Sequence, residues 1–272
     1  MKKKFIHAFL FGKEFVMNKK MPVVFVGHGS PMNAIEKNHF TEEMAEIGAR
    51  IGKPKAILAV SAHWLTEGIK VSTASENRQI YDMYGFPQEL YEVKYAPKGD
   101  PLLAMHTLSY LKDLAKADES WGIDHGVWSV LVRMYQKADI PVVMMSVDPT
   151  APAENQFFAG VRLKPLREEG VLILASGNVV HNLAACDFRM ENEGYPWAQQ
   201  FDRTVKENIL NHAFERVAEL TKGPDYRNAT GIGEHFYPLL TALGAAGQDA
   251  RAEVWNEACI IGALSMTSYL FT

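Results

Sequence analysis

Apolar positions along the chain fall into short β-branched runs bounded by glycine, proline or polar residues, the pattern of strands buried on both faces. Residues 22–26 form the first run, 56–60 the second and 69–73 a weaker third. Residues 141–147 are the fourth and 171–175 the fifth, and 260–270 supply a last strand. Between the runs, apolar residues recur at helical spacing. The helices expected are 40–51, preceded by Asn38, then 101–117, 127–135, 152–169, 197–219 and 238–244. Buried strands alternating with helices predict an α/β fold: a single domain with a central, mostly parallel sheet covered by helices on both faces. The stretch 79–101, rich in Tyr, Pro and Gly, reads as a long loop. Long loops inside compact domains are often functional. No repeat and no low-complexity segment interrupts the pattern.

Composition narrows the class. The chain has 272 residues and is 47% hydrophobic, enough for a substantial core. Its formal net charge is -4 and it carries no basic stripe, so a nucleic-acid partner is not expected. Two cysteines, Cys186 and Cys259, are too few for a disulfide framework or a thiolate metal cluster. They read as buried free thiols, which fits a reducing, cytoplasmic setting. Lys2-Lys3-Lys4 followed by Phe5-Ile6-His7 loosely imitates a signal peptide, but Gly12-Lys13-Glu14 interrupts the apolar stretch and no small-residue cleavage site follows. Residues 1–20 therefore read as an N-terminal extension and 21–272 as the catalytic domain. No segment reaches the roughly 20 apolar residues of a membrane span.

The histidines carry the candidate chemistry. Three runs lead into one: Val26-Gly27-His28-Gly29, Ser61-Ala62-His63-Trp64 and Gly177-Asn178-Val179-Val180-His181-Asn182. Ligands of open α/β sheets sit outside the carboxyl ends of the strands. If these strands are parallel neighbours, His28, His63 and His181 converge on one crevice. A single histidine at a strand end is usually a hydrogen-bonded polar tip, but three in equivalent places point to a metal, since neutral imidazole is the commonest protein ligand. A set rich in histidine favours zinc, iron or copper over magnesium. His125, in Ile123-Asp124-His125-Gly126, and His235, in Gly233-Glu234-His235-Phe236, have suggestive company. His7, His39, His106 and His212 are assigned no role.

Taken together, Gly27-His28-Gly29-Ser30-Pro31-Met32, Ser61-Ala62-His63-Trp64, Trp121-Gly122-Ile123-Asp124-His125-Gly126, Ala175-Ser176-Gly177-Asn178-Val179-Val180-His181-Asn182 and Glu234-His235-Phe236-Tyr237-Pro238-Leu239 resemble the class III extradiol ring-cleavage dioxygenases. The nearest branch is the 4,5-DOPA dioxygenase extradiol group. The likeness runs from residue 21 to the C-terminus with the motifs in order. It implies one divalent metal, Fe(II) in active enzyme, with zinc able to occupy the site in isolated protein. It implies a small, L-DOPA-like catechol as substrate, opened beside its hydroxyl pair with O2. His28 and His63 map to metal ligands. The last motif supplies a third, His235 in this branch, with Glu234 the rival because a carboxylate stands there in the wider family. His181 maps to a pocket histidine that ligates directly or acts as acid/base, and His125 to one that contacts substrate or oxygen. Trp64, Trp128, Tyr84 and Phe86 are candidates to wall an aromatic-shaped pocket, each against an ordinary core-packing role. The residues alone leave two other readings open: a zinc-dependent hydrolase, for which no separate nucleophile motif is found, and a non-enzymatic binding protein on the same scaffold.

Overall fold

The apolar runs assemble into one eight-stranded sheet. The structure is a computed structural model and describes residues 20–272. The expected N-terminal extension thus lies outside the described residues except for Lys20. The strands are β1 (Val23–Gly27), β2 (Ala56–Leu65), β3 (Ile69–Ser72), β4 (Ala115–Asp118), β5 (Val142–Val147), β6 (Val171–Gly177), β7 (Ala252–Trp255), β8 (Cys259–Ile260), β9 (Leu264–Ser265) and β10 (Ser268–Phe271). The large sheet has the order β4-β3-β5-β2-β6-β1-β10-β7, and β8 and β9 form a separate hairpin. Its centre, β5-β2-β6-β1, is entirely parallel, while β3 joins β5, and β10 joins β1 and β7, in antiparallel fashion.

The helices are α1 (His39–Ile51), α2 (Gln88–Glu92), α3 (Pro101–Leu111), α4 (His125–Met134), α5 (Glu154–Leu163), α6 (Pro196–Leu210), α7 (Phe214–Glu219), α8 (Pro224–Thr230) and α9 (Tyr237–Ala246). Strand residues alternate between two cores, as a pleated sheet requires. Val23 and Phe25 pack with residues of α3, α5, α6 and α9 on one face. Val24 and Val26 pack with Met44 and Ile47 of α1 and with Val127 and Leu131 of α4 on the other. Both faces are therefore apolar, which is why the central strands read as unbroken hydrophobic runs. A fully buried Arg167 ties the layers together: its Nε donates to the Met21 carbonyl at 2.7 Å and its Nη1 to the Ala246 carbonyl at 2.7 Å, closing the end of α9 against the start of β1. Among the described residues no helix is long and apolar enough to cross a membrane.

Several expected elements are divided. The helix expected over 101–117 stops at Leu111, where Lys112 takes a left-handed backbone (φ 54°), and residues 115–118 become the edge strand β4. The helix expected over 152–169 passes into a 3-10 turn at Lys164–Glu169, because Pro165 has no N–H for the helical ladder. The helix expected over 197–219 breaks at His212, also left-handed (φ 56°), giving α6 and α7. The last expected strand resolves into β8, β9 and β10, and β7 precedes them. Cys186 and Cys259 are free but only half-buried.

Candidate metal centre and pocket

β6 lies between β1 and β2, so the carboxyl ends of all three meet at one place. β1 delivers His28 one residue past its end. His63 sits inside β2, before the strand finishes at Leu65, and His181 lies four residues beyond β6 on an isolated bridge to Leu264. His235 comes from the short 3-10 turn Glu234–Phe236 that opens α9, and His125 is the first residue of α4, capped by Asp124. Two glycines make this convergence possible. A Cβ on Gly177 would stand 2.2 Å from the His235 carbonyl, and one on Gly126 would stand 2.7 Å from the His63 ring.

The rings of His28, His63 and His235 form a nearly equilateral triangle, with centroids 5.1, 5.2 and 5.0 Å apart. The Nε2 atoms of His28 and His63 face each other at 3.3 Å. Each ring is held from behind through Nδ1. Ser176 Oγ lies 2.9 Å from that of His28, Asp82 Oδ2 3.0 Å from that of His63, and Glu234 Oε1 2.8 Å from that of His235. Hydrogen bonds to the far nitrogen are how metal-binding imidazoles are usually oriented. The Nε2 of His235 is buried with no partner. An imidazole whose nitrogen is about 2.1 Å from an ion has its centre about 3.2 Å away, and three such rings at tetrahedral angles lie about 5 Å apart. The facing Nε2 atoms of His28 and His63, the unpartnered Nε2 of His235 and the ring spacing fit the chemistry of a divalent ion.

Two more histidines border the triangle. His181 stacks on His235 with centroids 3.4 Å apart and planes 8° from parallel, and its Nδ1 is 3.9 Å from Glu234 Oε1. His125 meets His63 edge-on at 4.0 Å. Its Nδ1 lies 3.0 Å from Asp82 Oδ1, and its backbone N–H donates to that same oxygen at 2.8 Å. By closest ligand atoms the residues group as His28, His63 and His125, and as His181, Glu234 and His235. Glu234 meets the Nδ1 side of His235, and the two side chains share a hydrogen bond.

Burial sets the electrostatics. It pushes His28 and His235 well below the usual imidazole range, assisted by the neighbouring rings. It lowers His181 to about 4. Burial acts on His63 in the same direction, but the hydrogen bond to Asp82 and the charges of Asp124, Asp82 and Glu234 outweigh it and raise this ring. Asp82 is itself opposed by burial, yet the rings of His125 and His63, each with Nδ1 3.0 Å from a carboxylate oxygen, hold it well below the carboxylate range. Burial raises both Glu234 and Asp124. Burial thus keeps His28, His235 and His181 as neutral imidazoles, the form that binds metals, while the carboxylates around His63 favour its charged form.

These groups form the floor of a pocket of about 680 Å³. Tyr84 and Phe86 line it, as expected, together with Met83, Leu183, Phe188, Ile261 and Leu264. Trp64 and Trp128 do not. Trp64 stacks on Trp121, while Trp128 is fully buried and donates through Nε1 to the Ile80 carbonyl at 2.8 Å. Asp82 and the apolar wall were not read from the sequence. Asp82 lies within the long stretch 79–101, whose length and aromatic content were the only signal pointing to it.

The family model described as the catalytic LigB subunit of aromatic ring-opening dioxygenase matches residues 21–272. A protein named 4,5-DOPA dioxygenase extradiol from Escherichia coli (strain K12) is 39% identical over 262 residues, covering 94% of this chain and 97% of its own length. One of the same name from Beta vulgaris is 37% identical over 256 residues, covering 91% of this chain and 95% of its own length. A crystal structure of an uncharacterized protein from Escherichia coli K12 superposes with a TM-score of 0.81 at 35% identity, covering 93% of this chain and 100% of that one. The order of the five histidine motifs, their meeting at one edge of the sheet and these likenesses lead to the same place: the chain belongs to the LigB family of extradiol aromatic ring-opening dioxygenases.

Proposed function

We propose that this chain opens the ring of a small catechol beside its hydroxyl pair with O2, on one divalent ion held by His28, His63 and His235, with Fe(II) in the active form. The observation that carries the reading is the triangle of three imidazoles, each fixed through Nδ1, at the floor of an apolar-walled pocket. When bound, the ion supplies coordination for the two catechol oxygens and O2 and acidifies the catechol. The remaining work falls to the chain. His181, stacked on His235 and lining the pocket, is placed to accept the second hydroxyl proton. His125, beside Asp82 and edge-on to His63, lines the pocket where it contacts substrate or oxygen. Asp82 fixes two rings at once, and Glu234 orients His235 instead of binding the ion. Phe86 and the facing apolar wall exclude water and favour a flat ring.

The test is anaerobic Fe(II) loading followed by oxygen-electrode measurements with catechol, L-DOPA and 3,4-dihydroxyphenylacetate. Equimolar consumption of O2 and catechol with a yellow ring-opened product is expected. Loss of O2 uptake with every catechol would sink the assignment, and oxygen-independent turnover supported by zinc would favour the hydrolase.

A further inference from the structure

The outer half of the pocket has a composition of its own. Leu183, Phe188, Ile261 and Leu264 form one side of it. Leu183 and Phe188 are 64% and 77% exposed, an unusual amount of large apolar surface to leave in water at the mouth of a polar site. Ile261 holds a left-handed backbone (φ 43°), which a β-branched residue adopts only under constraint. The constraint is visible. The Asp187 N–H donates to the Ile261 carbonyl at 2.9 Å, the Gly262 N–H to Glu193 at 2.8 Å, and the Tyr195 N–H to Gly262 at 2.7 Å. Backbone bonds thus fasten the turn between β8 and β9 to the segment carrying Phe188, and hold strain where the pocket needs a side chain.

Charge is the second observation. No lysine or arginine is among the described residues that line the pocket. Of its two carboxylates, Asp82 lies against His63 and His125, and Glu234 meets His235 through Oε1 while its Oε2 is buried among the histidines without a partner. Arg189, next to Phe188 in the chain, does not line the pocket and closes its guanidinium on Asp187 at 2.6 Å. A carboxylate or ammonium set against this wall meets no opposite charge from its four residues, whereas an apolar substituent covers surface that otherwise stands in water.

We propose that the wall of Leu183, Phe188, Ile261 and Leu264 receives an uncharged, apolar substituent of the catechol ring. The chain then selects alkyl- or aryl-substituted catechols over those bearing an amino-acid or carboxylate side chain. This rests on the catechol reading above. With the hydroxyl pair at the histidines, the far end of the ring points to the wall, where each methylene buried gains about fourfold in affinity.

The full-length Fe(II)-loaded protein is compared on catechol, 4-propylcatechol, L-DOPA and 3,4-dihydroxyphenylacetate, by anaerobic titration calorimetry and by kcat/KM for O2 uptake. At least a tenfold preference for 4-propylcatechol over both charged catechols is expected in each measurement. Phe188→Ala and Ile261→Gly, the latter suited to the left-handed backbone, should lower the ratio of 4-propylcatechol to catechol at least fivefold. Equal or better use of L-DOPA, or an unchanged ratio in both variants, overturns the proposal while leaving ring opening intact. Failure to turn over any catechol removes the catechol reading and this inference with it.

Discussion

At the scale of single residues, the centre divides its work between nitrogens that face the pocket and oxygens that stand behind them. Replacing His28, His63 or His235 by Ala should each abolish stoichiometric iron binding, measured by elemental analysis of dialysed protein. His181→Ala should retain the metal yet lose turnover, which separates an acid/base role from ligation. Asp82→Asn keeps the volume but can no longer accept from both rings as a carboxylate. The expected cost is 10- to 100-fold in metal affinity, about the usual effect of losing such a partner. The histidines were legible because glycines and strand ends mark them in the sequence. Asp82 was not, because nothing local distinguishes an acid in a loop until that loop docks on His63 and His125.

A different acid makes a prediction about pH. Asp202 of α6 is buried beneath Ser265 and Thr267, whose hydroxyls donate at 2.6 and 2.9 Å. Burial nevertheless raises its pKa to about 6. The folded state therefore binds a proton more tightly than the unfolded chain, and this group's contribution to stability falls as pH rises from about 4 to about 6. Asp202→Asn should flatten that part of the Tm profile. The variant should melt higher than the parent at pH 7.5 and close to it near pH 3.5, by circular dichroism.

At the scale of elements, the pairing of α5 with α9 positions one corner of the triangle. The helices touch through glycines. A Cβ on Gly160 would lie 2.1 Å from the Thr241 carbonyl, and one on Gly244 would lie 2.0 Å from the Phe157 carbonyl. Gly160→Ala should force the helices apart at a cost of about 1–3 kcal/mol, read as a lower denaturation midpoint. Since α9 begins two residues after His235, metal affinity should fall with it. The central strands were legible because burial on both faces leaves nothing but β-branched and apolar residues in them. The edges were not. β4 and β7 are short and half-exposed, and the breaks at Lys112 and His212 are set by a left-handed backbone that their residue types do not advertise.

At the scale of the molecule, the parallel order β2-β6-β1 turns three distant sequence motifs into neighbours. A ligand that binds only the assembled sheet stabilises it by mass action, about 2.7 kcal/mol at a hundredfold excess over Kd. Removing metal with a chelator should lower Tm by several degrees, and adding Fe(II) anaerobically should restore it. The fold class followed from alternation of buried runs and helices. The sheet order did not, because which strands become neighbours depends on how the helices cross over, and the strand sequences are too alike to specify it.

The spacing of the triangle along the chain has a consequence for when a metal site can exist. Its corners are residues 28, 63 and 235, and β1 is flanked by β6 and β10, both made long after it. A growing polypeptide has no complete triangle until residue 235 has been made, so on the proposed reading loading follows the synthesis of all three corners. The finished apoprotein then meets whatever divalent ions are free, and imidazole sites follow the same affinity order wherever they occur. On that reading the supply of ions at that moment acts together with the imidazole donors in selecting the ion installed.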